Sequence, residues 1–351
     1  MQAIHAQLAE RIRLAAEKNT PLAIRGGGSK AFYGQPVAGE ALDVTAYRGI
    51  VEYEPSELVI SVRAGTPLEE VAQALAGRGQ MLPFEPPHFS ESATIGGCVA
   101  AGLSGPARAA RGSVRDFVLG VRIIDGLGRD LHFGGKVIKN VAGYDVSRLM
   151  VGALGTLGVI TEISFKVLPL PIAEETLSFL LPAEKAIDQM NRWAAQPLPI
   201  SATYHAVDRL WVRLSGAQSA VTAAVKKLAG LSAPNANLFW QDVRDHRAAF
   251  FSDTLPLWRL SVPSTSKPIV ISGEQVMEWN GAQRWLLSNE PAETVRDRVA
   301  KVGGHATRFH HDRGVGAIFH PLAPSIAELN RRLKTKFDPR GILNPGRMDN
   351  V

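Results

Sequence analysis

Hydrophobic residues at the start of the chain recur at helical spacing. Ile4, Leu8 and Ile12 are each four residues apart with polar residues between them, which predicts an amphipathic helix over residues 2–18. Thr66 followed by Pro67 has the residue types of a helix N-cap and first helical position. Apolar and β-branched runs predict strands at residues 21–25, 41–44, 50–54, 58–63, 117–125, 130–133 and 158–168, and a helix is predicted at 148–153.

Pro169 and Pro171 interrupt this pattern and predict a domain boundary near residue 170. Beyond it, predicted strands alternate with predicted helices, as in an α+β domain with βαβ-like units. The strands are expected at residues 177–181, 203–207, 211–214 and 269–272, and the helices at 183–195, 217–228, 291–302 and 324–337.

We therefore predict an α+β protein of two domains. The first domain comprises residues 1–170, and a smaller α+β cap or partner-contact domain comprises residues 171–336. The tail, residues 337–351, is rich in turns but contains Phe337, Ile342 and Leu343, so we expect it to dock back onto the first domain.

The composition is that of a soluble globular protein, with 45% apolar and 21% charged residues among 351. The net charge of +6 is dispersed and no nucleic-acid-binding motif occurs, so an anionic ligand and an acidic partner fit it equally well. Cys98 is the only cysteine, which excludes an internal disulfide and an iron–sulfur cluster held by this chain. With no signal-like or membrane-spanning segment, we expect a cytoplasmic protein that reaches a membrane only through partner subunits.

The stretch from Ser92 to Gly112 has five glycines and six alanines, and its only charges are Arg108 and Arg111. So many glycines are costly to order, which indicates close approach of a ligand or tight packing in a core. A second glycine-rich loop, Arg25–Lys30, favours the ligand. Two such loops predict one extended, phosphate-bearing, flat ligand, because main-chain N–H groups and arginines attract phosphate.

Two common nucleotide motifs do not account for these loops. Gly28-Ser29-Lys30 does not match the phosphate loop G-x-x-x-x-G-K-[ST]. Gly152, Gly155 and Gly158 have the wrong spacing for a dinucleotide-binding fingerprint, and their predicted strand follows the glycines instead of preceding them.

An ordered set of motifs provides a better explanation. They are Ile24–Lys30, Ala93–Gly97, Gly155–Glu162, Phe337–Pro339 and Asn344–Gly346. The set resembles the vanillyl-alcohol oxidase type, or PCMH type, of FAD-binding domain, over about the first 170 residues and the last 20. This resemblance implies two α+β subdomains and bound FAD. The FAD is expected to be non-covalent, because no histidine or cysteine lies in residues 25–30 or 105–112.

The resemblance also implies which residues contact FAD. The loop Arg25–Lys30 and the turn Thr94–Gly97 would surround the pyrophosphate, and the proline-rich loop Pro83–Pro87 would lie along the cofactor. Main-chain atoms of Val159 and Ile160 would touch the adenine. By composition alone, these last two residues equally fit a core strand. The predicted cofactor-binding residues are Arg25, Gly26, Gly27, Gly28, Ser29, Lys30, Pro86, Pro87, Thr94, Ile95, Gly96, Gly97, Gly102, Gly105, Arg111, Gly112, Val159 and Ile160.

Four further segments extend the likeness over nearly the whole chain: Ser113–Gly120, Lys139–Asp145, Gly281–Leu286 and Phe337–Gly346. In these the chain is similar to the FAD-binding subunits of bacterial glycolate oxidase (glycolate dehydrogenase) complexes. That resemblance implies a second, longer flavoprotein subunit and an iron–sulfur subunit as partners. It also implies a small 2-hydroxy acid such as glycolate as substrate; preferring glycolate to lactate rests on the likeness alone.

The chemistry of such a site requires a cation for the substrate carboxylate and a base for the hydroxyl proton. Arg259, Tyr144 and Lys139 are the candidates, although Arg259 beside Trp258 equally fits a packed side chain. The H-x-G-[DE]-G-N element usual in the cap of related dehydrogenases is missing, and His310, His311 and Asp312 are adjacent residues whose side chains diverge on a strand, so we predict no metal. Three hypotheses stay open: an FAD-dependent subunit that passes electrons to its partners, a non-catalytic FAD-binding assembly subunit, and a stand-alone 2-hydroxy-acid oxidase.

Overall fold

A computed structural model describes residues 1–135, 145–310 and 316–348. The helices are α1 (Gln2–Lys18), α2 (Leu68–Ala76), α3 (Ile95–Ala101), α4 (Arg108–Arg111), α5 (Val114–Phe117), α6 (Val146–Leu149), α7 (Ala183–Ala194), α8 (Gln218–Leu228), α9 (Ala236–Arg244), α10 (Ala292–Ala300) and α11 (Pro324–Phe337). The strands are β1 (Leu22–Arg25), β2 (Glu40–Asp43), β3 (Ile50–Glu54), β4 (Val59–Arg63), β5 (Gln80–Met81), β6 (Val118–Ile124), β7 (Asp130–Gly134), β8 (Val159–Lys166), β9 (Leu168–Pro169), β10 (Ala173–Leu180), β11 (Ile200–Ala206), β12 (Arg209–Gly216), β13 (Leu231–Ser232), β14 (Leu257–Ser261), β15 (Glu274–Glu278), β16 (Gln283–Leu287) and β17 (His305–His310).

The chain divides into two compact units. The first comprises Met1–Leu103, Ser113–Leu170 and Pro321–Val351, and the second comprises Ser104–Gly112 and Pro171–His320. The second half of the glycine-rich stretch therefore belongs to the second unit, and α11 with the tail belongs to the first. No helix in the described ranges has the length and hydropathy that a membrane span needs.

The first unit contains two α+β layers. In one, β1 and β2 pair in parallel, and α1 packs on them through Leu8 and Ile12. The tail completes this layer, because Leu343 forms a parallel bridge with Leu22 and is fully buried. In the other layer, an antiparallel sheet of order β3-β4-β8-β6-β7 is covered by α2 and α3 over a large apolar core. The strands predicted at 117–125 and 130–133 are confirmed, since β6 and β7 pair as a hairpin around Gly126–Gly128.

The second unit is built on one antiparallel sheet of order β13-β10-β12-β11-β15-β16-β14-β17. Strands β10 to β13 with α7 and α8 form a βαββαβ unit, and β14 to β17 with α10 repeat its strand order in reverse across the sheet. The two halves join where β11 pairs with β15. The βαβ-like units expected from the sequence are thus two copies of one motif.

The helices of both repeats cover the same face of this sheet. Helices α7 and α8 bury Ile187 and Val221 against one half, and α10 buries Val295 and Val299 against the other. Because side chains alternate along strands, the opposite face carries the intervening residues. That face is rich in polar and aromatic side chains, among them Trp285 and Arg259, which are cross-strand partners.

Three local predictions are wrong. Residues 269–272 form no strand: Ile269 and Ile271 are buried in the core under α10, and Arg298 donates to the carbonyl of Val270. This segment occupies the place of the first helix in the second repeat, so its alternating pattern reflects packing and not strand pairing. The helix expected at 148–153 ends earlier, at Leu149.

The third error concerns the start of α2. Thr66 does not cap the helix, because its hydroxyl donates to the carbonyl of Arg63 and accepts from the amide of Gly49. The cap position is Pro67, which makes no side-chain cap hydrogen bond.

Candidate functional site

Two glycine-containing loops of the first unit lie directly against each other: the first loop is Arg25–Lys30, and the second loop is Ser92–Gly97. A Cβ atom at Gly27 would lie 1.4 Å from the carbonyl oxygen of Ser92, and one at Gly26 would lie 2.5 Å from Oγ1 of Thr94. The Ser92 hydroxyl donates to the carbonyl of Gly27 over 2.6 Å. Any side chain at these two glycines would force the loops apart, so the sequence needs glycine here for packing.

The first loop presents a run of unbonded main-chain donors. Within the described part of the chain, the four consecutive N–H groups from Gly26 to Ser29 have no hydrogen-bond acceptor. These residues are exposed or half-buried, and Gly28 has a φ of 73°. Successive free amides in a turn form a concave anion-binding site. This arrangement fits a phosphate group.

The second loop has its amides already bonded. The amides of Ile95 and Gly96 donate to the carbonyls of Thr66 and Ala64. The amide of Gly97 donates to the Oγ1 of Thr94, which caps α3. The second loop therefore supports the first loop, and the unbonded donors belong to the first loop. We call these four amides, from Gly26 to Ser29, the cradle.

Lys30, which ends the first loop, and Cys98, which directly follows the second loop, are both buried. The Nζ of Lys30 lies 3.3 Å from the Ser29 hydroxyl and 5.4 Å from the centre of the Phe89 ring. Burial raises the pKa of the Cys98 thiol to about 11, although the positive charge of Lys30 acts against this shift. Cys98 is therefore a neutral, buried thiol, as the sequence predicted.

The C-terminal tail holds the first loop in place. From the sequence we predicted that the tail docks on the first domain, but not which residues contact this loop. The side chain of Asn344 accepts from the amide of Ile24 over 2.8 Å and donates to the carbonyl of Leu154 over 2.7 Å. Arg347 donates to the carbonyls of Lys30, Ala31 and Gln35. The motif Asn344–Gly346 marked this part of the tail in the sequence, but its side-chain contacts are seen only in the structure.

The remaining predicted contacts in the first unit have clear positions. Pro86 and Pro87 are buried. Gly102 has a φ of 65°, and a Cβ there would lie 3.0 Å from the main chain of Gly152. Val159 and Ile160 are buried residues of β8, in register with β6. Their contacts with a cofactor remain predictions.

Three predicted cofactor residues lie in the second unit. The carbonyl of Gly105 accepts from Nε1 of Trp279 over 3.1 Å, and Arg111 donates to the Ser215 hydroxyl over 2.8 Å. Arg111 and Gly112, at the end of α4, are half-buried. The predicted approach of these residues to the cofactor is not tested by these bonds.

The polar face of the second unit contains residues that the sequence reasoning missed. Glu278 is 3% exposed, and its Oε1 accepts from Nε1 of Trp285 over 2.6 Å and from the Gln283 amide over 3.3 Å. Tyr204 is the cross-strand partner of Glu278, and burial followed by that carboxylate raises its pKa. No motif marked Glu278, because it is an isolated acid in a strand.

Arg259 lies on the same face as Glu278. It is half-buried, its guanidinium lies 5.9 Å from the centre of the Phe309 ring, and its cross-strand partners are Trp285 and Thr307. Burial, with a further contribution from the charge of Arg259, lowers the pKa of His305. A cation among aromatic side chains can hold a carboxylate, which is the chemistry predicted for Arg259.

The other candidates cannot be placed. Lys139, Tyr144, His311 and Asp312 lie outside the described residues. Among residues 1–135, 145–310 and 316–348, no group of histidine, cysteine and acidic side chains could hold a metal ion.

The unbonded amides, the glycine packing and the α+β topology together fit a protein that binds a cofactor with a pyrophosphate. Residues 3–134 match the family described as FAD binding domain. The chain is 49% identical over 341 residues to the glycolate oxidase subunit GlcE of Escherichia coli K12, covering 97% of this chain and 96% of that protein. The chain therefore belongs to the family of glycolate oxidase subunit GlcE, and its cofactor is FAD.

Two further similarities agree. Over 168 residues, 47% of this chain and 36% of the relative, it is 32% identical to the glycolate oxidase subunit GlcD of Bacillus subtilis. A solved structure of alkyldihydroxyacetonephosphate synthase superposes with a TM-score of 0.67 at 18% identity, covering 96% of this chain and 74% of that one. The last likeness concerns the fold alone and confirms the predicted fold class.

Proposed function

We propose that this chain is the FAD-binding subunit of a complex that oxidises glycolate, and that it passes electrons from substrate to its partner subunits. The observation that supports this most directly is the run of unbonded amides from Gly26 to Ser29, in a chain 49% identical to a glycolate oxidase subunit. The partners would be a second flavoprotein subunit and an iron–sulfur subunit. The lone cysteine requires any cluster to lie on another chain.

The FAD is held without a covalent bond in this proposal. The amides of the first loop, with the buried ammonium of Lys30 beside it, would bind the pyrophosphate. Bound FAD supplies the hydride acceptor. The protein's own part is to exclude water, to hold the substrate carboxylate and to accept the hydroxyl proton.

Arg259 is the residue we assign to the substrate carboxylate. Its guanidinium lies on the polar face of the second unit, where Trp285 and Phe309 flank it. Glu278 is the residue on that face that we assign to accepting the proton; its carboxylate is buried, and Trp285 holds it in place with a hydrogen bond. A non-catalytic role remains the second candidate, favoured by the absence of the H-x-G-[DE]-G-N element from the sequence.

The test is a visible spectrum of the chain purified alone, before and after adding glycolate without oxygen. We expect a flavin spectrum that bleaches, and released FAD after denaturation. Arg259→Met should keep the flavin but raise the glycolate concentration for half-bleaching at least about tenfold, since a charge-assisted contact contributes about 1.5–3 kcal/mol. Arg192→Met, at an exposed arginine of α7, is the matched control and should behave as wild type.

Two results would change the proposal. A flavin spectrum that glycolate never bleaches would favour the assembly role. A chain without flavin, alone and with its partners, would contradict the cradle described above.

A further inference from the structure

An apolar stripe on α11 continues past the core of the first unit. Leu333 and Phe337, in the last turns, pack against the main core of that unit. Ile326 and Leu329 lie on the same side of the helix by spacing, yet they are 47% and 51% exposed. Leu322, just before the helix, is 48% exposed. The core therefore covers only one end of the stripe.

A pocket opens beside the middle of α11. It has a volume of about 210 Å³, and Asn330 of α11 forms part of its wall. Its apolar lining includes Leu149, Val151, Leu157 and Met348. Stripe and pocket are neighbours on the helix, because Asn330 lies four residues after Ile326 and three before Leu333, on the same side of α11.

The charge at this feature is positive. Arg115 and Arg148 line the pocket, and no carboxylate does among the described residues. Arg115 is exposed, and Arg148 pairs with the exposed Asp145, at 3.2 Å, in a surface pair that contributes little energy. An apolar surface bordered by arginines is complementary to an apolar segment that carries carboxylates.

We infer that Leu322, Ile326, Leu329 and the pocket form a docking surface for an acidic, apolar segment of a partner subunit. This rests on the proposed function, in which the chain works inside a complex. A second copy of this chain fits less well, because its net charge is +6 and the surface is already basic. The partner's apolar side chains would cover the stripe, and its carboxylates would meet Arg115 and Arg148.

The experiment uses the tagged chain co-expressed with the other subunits of its complex. Ile326→Asp with Leu329→Asp should reduce the co-purified partner subunits at least about tenfold, because two carboxylates would be buried in an apolar contact. Leu238→Asp, at a leucine of α9 that is 63% exposed, is the matched control and should capture partners as wild type does. Arg115→Glu with Arg148→Glu should also weaken capture, and salt raised from about 50 mM to about 500 mM should weaken the wild-type complex.

The FAD spectrum of each variant separates docking from folding. We expect every variant to retain wild-type flavin; if the double aspartate variant loses it, Ile326→Gln with Leu329→Gln replaces it and should show the same loss of partners. A photo-crosslinking residue in place of Leu329 should attach to an acidic, apolar peptide of a partner. A complex that assembles normally with the double variant, or a crosslink to a second copy of this chain, would overturn this inference alone. A wild-type chain that captures no partner would overturn the complex as well.

Discussion

Replacing the buried Lys334 by methionine should lower the free energy of unfolding of the protein, because Lys334 holds the tail of the first unit in place. The Lys334 ammonium is buried at the end of α11 and donates to Oδ2 of Asp338 over 2.6 Å. It also donates to the carbonyls of Thr156 and Leu343, over 2.8 and 2.7 Å. Asp338, 1% exposed, accepts in turn from the amides of Ile342 and Leu343. One buried ion pair therefore joins α11, the tail and the loop before β8.

The expected cost follows from what the substitution leaves behind. Methionine fills the volume but removes the charge, so Asp338 remains buried with two amide donors and no cation. Removing one partner of a buried ion pair costs about 3–5 kcal/mol, whereas replacing both partners with apolar residues is often near neutral. Lys334→Met should thus lower the free energy of unfolding by about 3–5 kcal/mol. Lys334→Met with Asp338→Leu should cost less than the single change, even though the tail amides lose their acceptor.

Urea denaturation followed by circular dichroism and by flavin release measures both variants. The tail pairs with β1, which leads into the free amides of the first loop, so flavin should be released at a lower urea concentration in Lys334→Met. Lys336→Met, at an exposed lysine two residues on, is the control and should change stability by less than about 0.5 kcal/mol. A cost below about 1 kcal/mol for Lys334→Met, or a double variant no better than the single one, would refute this reasoning.

Other consequences can be measured on the same protein. Gly27→Ala should abolish FAD binding, because its Cβ would lie 1.4 Å from a carbonyl oxygen. Gly135→Ala, whose Cβ would meet no atom of the described residues within 4 Å, should retain FAD, and equal flavin content in both variants would contradict the cradle. The hydrogen bond from Arg122 lowers the pKa of Asp130, so its stabilisation is present above its unfolded pKa of about 4 and disappears as pH falls through the lower folded value. Asp130→Asn should therefore lower the Tm at pH 6, and this difference should shrink as the pH falls below about 4; a pH-independent difference would argue against the pair. Cys98, with a pKa of about 11, should resist thiol reagents at pH 8 until the protein is unfolded, and rapid labelling of the native chain would place it at the surface.

The sequence predicted those parts of the fold that depend on local pattern. Helix α7 and the β6–β7 hairpin lie within a residue or two of their predicted places, because spacing and turn glycines determine them. The strand expected at 269–272 failed because an extended segment packed on a core alternates buried and exposed residues as a strand does. Which segment finds a pairing partner is decided by the whole sheet, where β15 takes the place beside β16.

The candidate site shows the same contrast between features that a local sequence pattern predicts and features that the whole fold decides. Glycines in sequence reveal where the backbone must come close, and both loops were found in this way. Sequence does not reveal which amides remain free, because the carbonyls that accept from Ile95 and Gly96 belong to the turn between β4 and α2. The second loop uses its donors to hold itself against that turn, and the first loop, held by Asn344 and Arg347, keeps its four amides unbonded among the described residues. The proposed anion site therefore depends on distant contacts: Gly27 is held by Ser92, more than sixty positions away, and Ile24 and Ala31 are held by Asn344 and Arg347, more than three hundred positions away.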